Sequence, residues 1–95
     1  MPILALFRWQ ADPDALVAAY DREMEDAPAV TVDQPTRTLH VFARGADGTV
    51  VVDLWENEED FRRMAGDPEF KANIEASVWP SEPEIEVFQV HATMP

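Results

Sequence analysis

The stretch Thr36–Glu56, TRTLHVFARGADGTVVVDLWE, decides the fold of this chain. Two runs rich in β-branched and aromatic residues, Thr36–Arg44 and Thr49–Glu56, flank the segment Gly-Ala-Asp-Gly. Runs of that composition are typical of strands, and a short segment with a glycine at each end is typical of a turn. We therefore predict a β-hairpin.

The register of this hairpin predicts which side chains share a face. If the loop has four residues, Arg44 pairs with Thr49, and His40 lies opposite Asp53. The strands then present an aliphatic face, consisting of Leu39, Val41, Ala43, Val50, Val52 and Leu54, and a mixed face, consisting of Thr38, His40, Phe42, Arg44, Val51, Asp53 and Trp55. A two-residue loop would keep these faces and move His40 opposite Trp55, whereas a one-residue bulge would break the sorting.

A strand and a helix precede the hairpin, and a helix and a strand follow it. The continuous apolar run Ile3–Trp9 is too short for a helix and predicts a strand that is buried on both faces. Asp12 and Pro13 are typical of a helix start, and this helix extends to about Asp26. Alternating residues in Glu84–Thr93 predict the last strand.

Both helices are amphipathic. The first has an apolar stripe of Leu16, Val17, Tyr20 and Met24, and a solvent face of Asp14, Asp21, Glu23 and Glu25. Asn57 caps the second helix, whose inward residues are Phe61, Met64 and Ala65. Gly66-Asp67-Pro68 interrupts that helix, and we expect another helical piece from Glu69 to about Ser77.

The order β-α-β-β-α-β predicts an α+β, ferredoxin-like sandwich, a single domain over residues 1–95 with one antiparallel sheet and both helices on one of its faces. Helices on one face leave the other face of the sheet bare, although the strands offer apolar side chains to both. Soluble monomers rarely expose an apolar patch of that size. We therefore expect a homodimer in which two sheets pack face to face.

Composition narrows the range of partners. The chain has 95 residues with a formal net charge of −12 and no cysteine. Such a charge repels phosphate backbones and anionic lipids, so binding to nucleic acid or to membranes is not expected. The absence of cysteine excludes a disulfide-stapled secreted scaffold, and no run approaches the length of a membrane span. We expect a cytoplasmic protein with neutral, cationic or protein partners.

The segment Asp47–Phe61, DGTVVVDLWENEEDF, resembles a segment of the antibiotic-biosynthesis-monooxygenase-like, dimeric α/β-barrel superfamily. His40 and the closing Glu86–His91 also resemble short members of that group, in which a serine usually stands where this chain has Asn57. The resemblance implies the ferredoxin-like fold and the dimer. Its members include cofactor-independent oxygenases of aromatic polyketides, haem-degrading enzymes and isomerases.

The resemblance does not extend to haem. Haem-degrading members share an asparagine on the first strand, a tryptophan, and a histidine on the second helix. Here the first strand ends Arg8-Trp9-Gln10, and the second helix contains no histidine. We therefore expect no haem. The resemblance to cofactor-independent monooxygenases implies no other cofactor.

His40 and Asp53 are the candidate catalytic residues, with the imidazole as a general base that the carboxylate orients. The aromatic residues Phe42, Trp55, Trp9 and Tyr20 are the candidate lining of a pocket for a planar ligand. The structural alternatives are a His–Asp hydrogen bond at the dimer interface and ordinary aromatic packing across strands. For Trp79 we expect a hydrophobic plug in preference to a lid.

A metal site is not expected. His40, Asp53 and His91 are conceivable ligands, but the sequence lacks the close histidine spacing that signals zinc. A surface position is the default for His91 because it lies near the end of the last strand.

Three hypotheses for function remain open. The chain is a cofactor-independent monooxygenase in which His40 deprotonates a phenolic or anthrone-like substrate, a module that binds a small aromatic molecule without converting it, or a dimeric accessory protein. The location of His40 and Trp55 discriminates between them. A position facing the helices across an open cavity favours the first two, and a position between two sheets favours the third.

Overall fold

The computed structural model describes residues 1–26, 36–68 and 79–94. Its elements in chain order are β1 (Ile3–Gln10), α1 (Pro13–Asp26), β2 (Arg37–Arg44), β3 (Gly48–Trp55), α2 (Glu58–Ala65) and β4 (Glu84–Gln89). Within these ranges, four strands form one antiparallel sheet in the order β2-β3-β1-β4. This is the predicted ferredoxin-like α+β arrangement. The connection bracketed by Pro28 and Pro35 and the helical piece expected from Glu69 lie outside the described residues.

The register of the hairpin is the predicted one. Arg44 pairs with Thr49, and His40 pairs with Asp53. We call the side of the sheet that the helices cover the inner face; it carries Ile3, Ala5, Phe7, Trp9, His40, Phe42, Val51, Asp53 and Trp55. The opposite, outer face carries Leu4, Leu6, Leu39, Val41, Val50, Val52, Leu54 and Phe88. The predicted division of the hairpin into an aliphatic and a mixed face is therefore confirmed for the residues from Leu39 onward.

A β-bulge at the start of β2 changes the prediction for Thr38. Arg37 lies opposite Trp55, and the next paired residue is Leu39, opposite Leu54. Thr38 is thus the extra residue, exposed and not part of the mixed face, and its Oγ1 donates to the carbonyl oxygen of Leu54 at 3.4 Å. Because the bulge lies before Leu39, the paired residues from Leu39 to Arg44 keep the faces predicted for them.

Local sequence sets where the helices begin. Asp12 Oδ1 accepts a hydrogen bond from the backbone N–H of Asp14 at 3.3 Å, and Pro13 occupies the first helical position of α1. Asn57 Oδ1 accepts from the N–H of Asp60 at 2.8 Å and so caps α2, as predicted. No helix in the described part of the chain is long and apolar enough to cross a membrane.

Asp60 also joins α2 to the start of β2. Its Oδ2 accepts hydrogen bonds from Thr36 Oγ1 at 2.7 Å and from Asn57 Nδ2 at 3.1 Å. The bond from Thr36, helped by that from Asn57 and by the nearby Arg63 guanidinium, lowers the pKa of the Asp60 carboxyl. Ionised Asp60 therefore stabilises the folded state.

The buried stripe of α1 is rotated from the predicted one. Leu16 and Ala19 are buried, whereas Met24 is 43% exposed, so the prediction of Met24 as an inward residue was wrong. Glu23, expected on the solvent face, is half-buried against Trp79. The spacing Leu16, Ala19, Glu23 is also helical.

The first and last strands of the chain, β1 and β4, also differ from the prediction. In β1 the side chains alternate, with Ile3, Ala5, Phe7 and Trp9 buried and the residues between them only half-buried, so the strand is not fully covered on both faces. The last strand stops at Gln89, short of the predicted Thr93. Its partner is β1, and Gln89 lies opposite Ile3, the first residue of that strand. Beyond this point the pairing strand has ended.

Gly48 is required by a close approach of two strands. A Cβ at this position would overlap the carbonyl oxygen of Trp9 and crowd the backbone of Gln10. We predict that Gly48→Ala destabilises the fold by about 1–3 kcal/mol, because the strands must separate to admit the methyl group. Urea unfolding measures this change.

Gly45, at the other end of the same turn, is the matched control. A Cβ there would meet its nearest atom, the Gly48 carbonyl oxygen, at an ordinary 3.8 Å. Gly45→Ala should therefore stay within about 0.5 kcal/mol of the wild type. Equal effects of the two substitutions would contradict the assignment of the close contact.

We also predict a pH-dependent contribution from Asp60. A carboxyl whose pKa is lowered on folding stabilises the protein above its ordinary value, 3.8, and this stabilisation is lost as the pH falls through the folded-state pKa. Asp60→Asn should be less stable than the wild type near neutral pH, and the difference should shrink on acidification. Unfolding at several pH values tests this, with the exposed Glu59→Gln as control. A stability difference that persists below the acid transition would refute it.

Candidate functional site

The His40–Asp53 pair lies on the inner face of the hairpin. His40 Nδ1 and Asp53 Oδ1 are 2.6 Å apart. Asp53 is only 3% exposed, whereas the side chain of His40 is 28% exposed. An ionised carboxylate can only accept hydrogen bonds, so the proton between the two groups is on Nδ1. A neutral His40 therefore has an unprotonated Nε2 that can accept a proton.

Tyr20 of α1 supplies the partner of that nitrogen. Its hydroxyl lies 2.9 Å from His40 Nε2, and the two rings are nearly parallel, with centroids 6.1 Å apart. The order Tyr20–His40–Asp53 is thus a continuous hydrogen-bonded row from the helix to a buried carboxylate. All three residues were predicted as candidates, but the contact between Tyr20 and His40 was not, because the sequence does not show which face of the hairpin the helices cover.

The surroundings of Tyr20 favour its neutral form. Burial raises the pKa of the Tyr20 hydroxyl, an effect that the nearby Arg37 guanidinium opposes and the Asp53 carboxylate reinforces. The hydroxyl therefore keeps its proton near neutral pH and donates it to Nε2.

Aromatic rings extend from Tyr20 into the core. Tyr20 stacks on Phe42 with ring centroids 4.0 Å apart, and Phe42 meets the edge of Trp79 at 6.4 Å. Trp79 stacks in turn on Trp9 at 4.6 Å. We call these four residues, Tyr20, Phe42, Trp79 and Trp9, the aromatic row. It brings together three of the four predicted pocket residues and adds Trp79.

Trp79 packs as the predicted plug, and a hydrogen bond fixes its ring. Its Nε1 donates to Glu23 Oε2 of α1 at 3.0 Å. Burial raises the pKa of the Glu23 carboxyl, and the bond from Trp79 partly offsets this effect. The contact ties residue 79 to the helix that carries Tyr20.

Trp55 lies in a second group of rings, under α2. It is 2% exposed and packs against the edge of Phe61, with centroids 5.9 Å apart, while Phe61 also meets Phe7. Trp55 and Phe42 therefore do not line the same side of a pocket, as the prediction for a planar ligand required. Within the described residues, the buried Nε1 atoms of Trp55 and Trp9 have no hydrogen-bond partner.

The other candidates stand apart from this site. His91 lies beyond the end of β4 and is exposed. Among residues 1–26, 36–68 and 79–94, no three histidine, aspartate or glutamate side chains converge to hold a metal ion. A depression of about 290 Å³ lies at the hairpin end of the sheet, lined by residues that include Arg8, Ala43, Gly48 and Val50. It does not include His40.

The arrangement can accept and return a proton. His40 Nε2 is the acceptor, the buried Asp53 carboxylate stabilises the imidazolium that forms, and the Tyr20 hydroxyl is the group nearest to Nε2. Both His40 and Trp55 lie on the helix-covered face, which is the orientation predicted for the enzyme and ligand-binding hypotheses. The open cavity that these hypotheses also require is not seen beside them in the described part of the chain, because Trp55 is buried and the depression at the hairpin end does not include His40.

Several solved structures share this fold. No family model matches the chain, and no curated protein matches it in sequence. A monooxygenase of Streptomyces coelicolor, ActVA-Orf6, solved with nanaomycin D, superposes with a TM-score of 0.72 at 18% identity, over 98% of this chain and 90% of that one. A putative antibiotic biosynthesis monooxygenase of Caulobacter crescentus gives 0.71 at 18% identity, over 96% and 91%.

A cofactor-independent oxygenase shares the same architecture. SnoaB of Streptomyces nogalater, solved as a mutant, superposes with a TM-score of 0.64 at 20% identity, over 99% of this chain and 95% of that one. These matches span nearly the whole of each chain. The chain therefore has the fold of the antibiotic biosynthesis monooxygenase-like proteins.

Proposed function

We propose that the chain is a small monooxygenase that needs no cofactor and acts on a planar phenolic or anthrone-like molecule. One observation carries the proposal: a partly exposed histidine, with its Nε2 unprotonated, is held by a buried carboxylate on the helix-covered face. His40 is the general base and Asp53 orients it. Phe42 and Tyr20 line the ligand side, Trp9 lies deeper in the aromatic row against Trp79, and Trp55 lies apart from them, against Phe61 of α2.

The proton of the substrate leaves through Tyr20. As the substrate hydroxyl or acidic C–H gives its proton to the Tyr20 oxygen, the proton of Tyr20 passes to His40 Nε2. The imidazolium formed is paired with Asp53, so no unpaired charge is created inside the protein. His40 therefore acts without breaking its hydrogen bond to the carboxylate.

The deprotonated substrate then reacts with O₂ directly. Its anion gives one electron to O₂, and the resulting radical and superoxide combine to form a C–O bond. The peroxide takes back the proton held by His40 and loses water to leave a new carbonyl group. For an anthrone, the sum is anthrone plus O₂ giving anthraquinone plus water.

The fold neighbours support this choice of reaction class. Two of them are described as a cofactor-independent oxygenase and as a monooxygenase bound to nanaomycin D. Oxygenation without a cofactor is compatible with the base and rings found here.

One observation favours the alternative, a non-catalytic ligand-binding or accessory protein. Both ring nitrogens of His40 already have protein partners, and Tyr20 stacks tightly on Phe42. A ligand must then share this space with Tyr20. Measurements of binding and turnover separate the two functions.

We also propose that two copies form a homodimer through their outer faces. Leu39, Val41 and Phe88 on this face are 44%, 41% and 46% exposed. A second copy would cover these side chains and complete a barrel of two sheets. A cytoplasmic location, expected from the composition, is part of the same proposal.

We predict that the purified protein consumes O₂ and forms the anthraquinone when given dithranol, a hydroxylated anthrone. His40→Gln should lower the rate about 10²–10⁴-fold, because it removes the base while its amide can still donate to Asp53. Oxygen-electrode and product assays measure the rates, with spontaneous oxidation subtracted.

The matched control is His91→Gln, since His91 is exposed and outside the site. It should leave the rate unchanged. Dithranol binding by calorimetry without turnover above the His40→Gln background would overturn the enzymatic proposal in favour of the binding module, and neither binding nor turnover would favour the accessory protein.

We predict a dimer in sedimentation at micromolar concentration. Val41→Glu should weaken it by roughly a hundredfold or more, because an unpaired charge would be buried between the sheets. Added salt should strengthen the wild-type dimer by screening the repulsion between two copies of charge −12. Ala18→Glu, on the exposed side of α1, is the control and should stay dimeric. A wild-type monomer would refute the interface.

A further inference from the structure

Tyr20 has a built-in acceptor for its proton. Its hydroxyl lies 2.9 Å from Nε2 of a histidine whose other nitrogen bonds a carboxylate that is 3% exposed. A phenol loses an electron much more readily when its proton can move at the same moment to a base at hydrogen-bond distance. The imidazolium that receives the proton here would be paired with Asp53, which makes this transfer more favourable.

The aromatic row connects this phenol to the buried rings of the core. From Trp9 to Trp79, Phe42 and Tyr20, successive ring centroids are 4.6, 6.4 and 4.0 Å apart. Indoles and phenols are the side chains, besides cysteine and methionine, that are most easily oxidised by one electron. Rings at these separations exchange electrons rapidly.

The two ends of the aromatic row differ in whether an oxidised ring can pass its proton to a neighbouring base. The buried Nε1 of Trp9 has no hydrogen-bond partner among the described residues, so an oxidised Trp9 has no neighbouring base to take its proton. Trp79 Nε1 donates to Glu23, a weak base. Tyr20 alone is bonded to an imidazole. One-electron oxidation of any tryptophan in the aromatic row is therefore followed by electron transfer from Tyr20, which ends as the radical.

We propose that Tyr20 is a redox-active tyrosine, the end point of one-electron oxidation of this protein. The reaction partner is an outer-sphere one-electron oxidant, for which organic peroxyl radicals produced by O₂ chemistry are the natural class. The electron leaves Tyr20 for the oxidant, which is reduced by one electron. The Tyr20 proton moves to His40 Nε2, and the products are a neutral phenoxyl radical and an imidazolium paired with Asp53.

The sequence makes this proposal easy to test. Tyr20 is the single tyrosine of the chain, and cysteine is absent. Any tyrosyl signal therefore comes from Tyr20, and no thiol competes with it for oxidation.

The experiment is flash photolysis of the whole protein with tris(bipyridine)ruthenium(II) and an electron-accepting quencher, followed by transient absorption and freeze-quench electron paramagnetic resonance. The wild type should yield a tyrosyl radical as the persistent species, and its formation should slow in D₂O because the proton moves with the electron. High-field spectra should show a phenoxyl oxygen that accepts a hydrogen bond from a charged donor.

His40→Gln keeps a donor for Asp53 but removes the base. It should slow tyrosyl formation about tenfold, the effect of one hydrogen bond of ordinary net strength, and shift spin to tryptophan. Phe42→Leu interrupts the aromatic row and should slow the transfer from tryptophan to Tyr20, whereas Phe88→Leu, on the outer face, should not. Circular dichroism verifies that each variant is folded.

The wild type alone can overturn the proposal. Persistent spin on tryptophan, or tyrosyl formation that is unaffected by D₂O, would do so even if no variant folds. Equal rates in the wild type and a folded His40→Gln variant would also contradict it. None of these outcomes depends on whether the protein oxidises an anthrone.

Discussion

The hydrogen bond between His40 Nδ1 and Asp53 Oδ1 is the interaction on which the rest of the site depends. Asp53 is 3% exposed and His40 is its hydrogen-bond partner. Removing one partner of a buried pair costs about 3–5 kcal/mol. The pair joins β2 to β3 at one register only. A slip by one residue would turn the aliphatic face of the hairpin toward the helices and leave Asp53 in the wrong place.

The same register divides the protein into two chemically different sides. The inner face carries rings, a base and a buried carboxylate, all covered by the helices. The outer face is mostly aliphatic and partly exposed, and Arg8 and Glu86 form an ion pair on it at 3.5 Å. The proposed chemistry and the proposed dimer interface therefore lie on opposite faces of one sheet. A substitution on one face of the sheet therefore makes no direct contact with side chains on the other face.

Much of this could be read from the sequence, because strand pairing follows a strict period of two. The opposition of His40 and Asp53, the cap at Asn57 and the start of α1 at Pro13 all depend on local spacing. Contacts between α1 and its neighbours could not be read in this way. The bond from Tyr20 to His40 and that from Trp79 to Glu23 depend on how the helix is rotated on the sheet, and α1 buries Ala19 where the pattern predicted Met24.

Asp53 and Tyr20 hold His40 in one tautomer, protonated at Nδ1 and accepting at Nε2. Nitrogen NMR of the imidazole, at a pH where the ring is neutral, tests this most directly, because the opposite tautomer predominates for histidine in water. The wild type should show the proton on Nδ1, and Asp53→Asn should weaken that preference, because a neutral amide oxygen is a weaker acceptor than a carboxylate. A wild-type ring protonated at Nε2 would contradict this assignment.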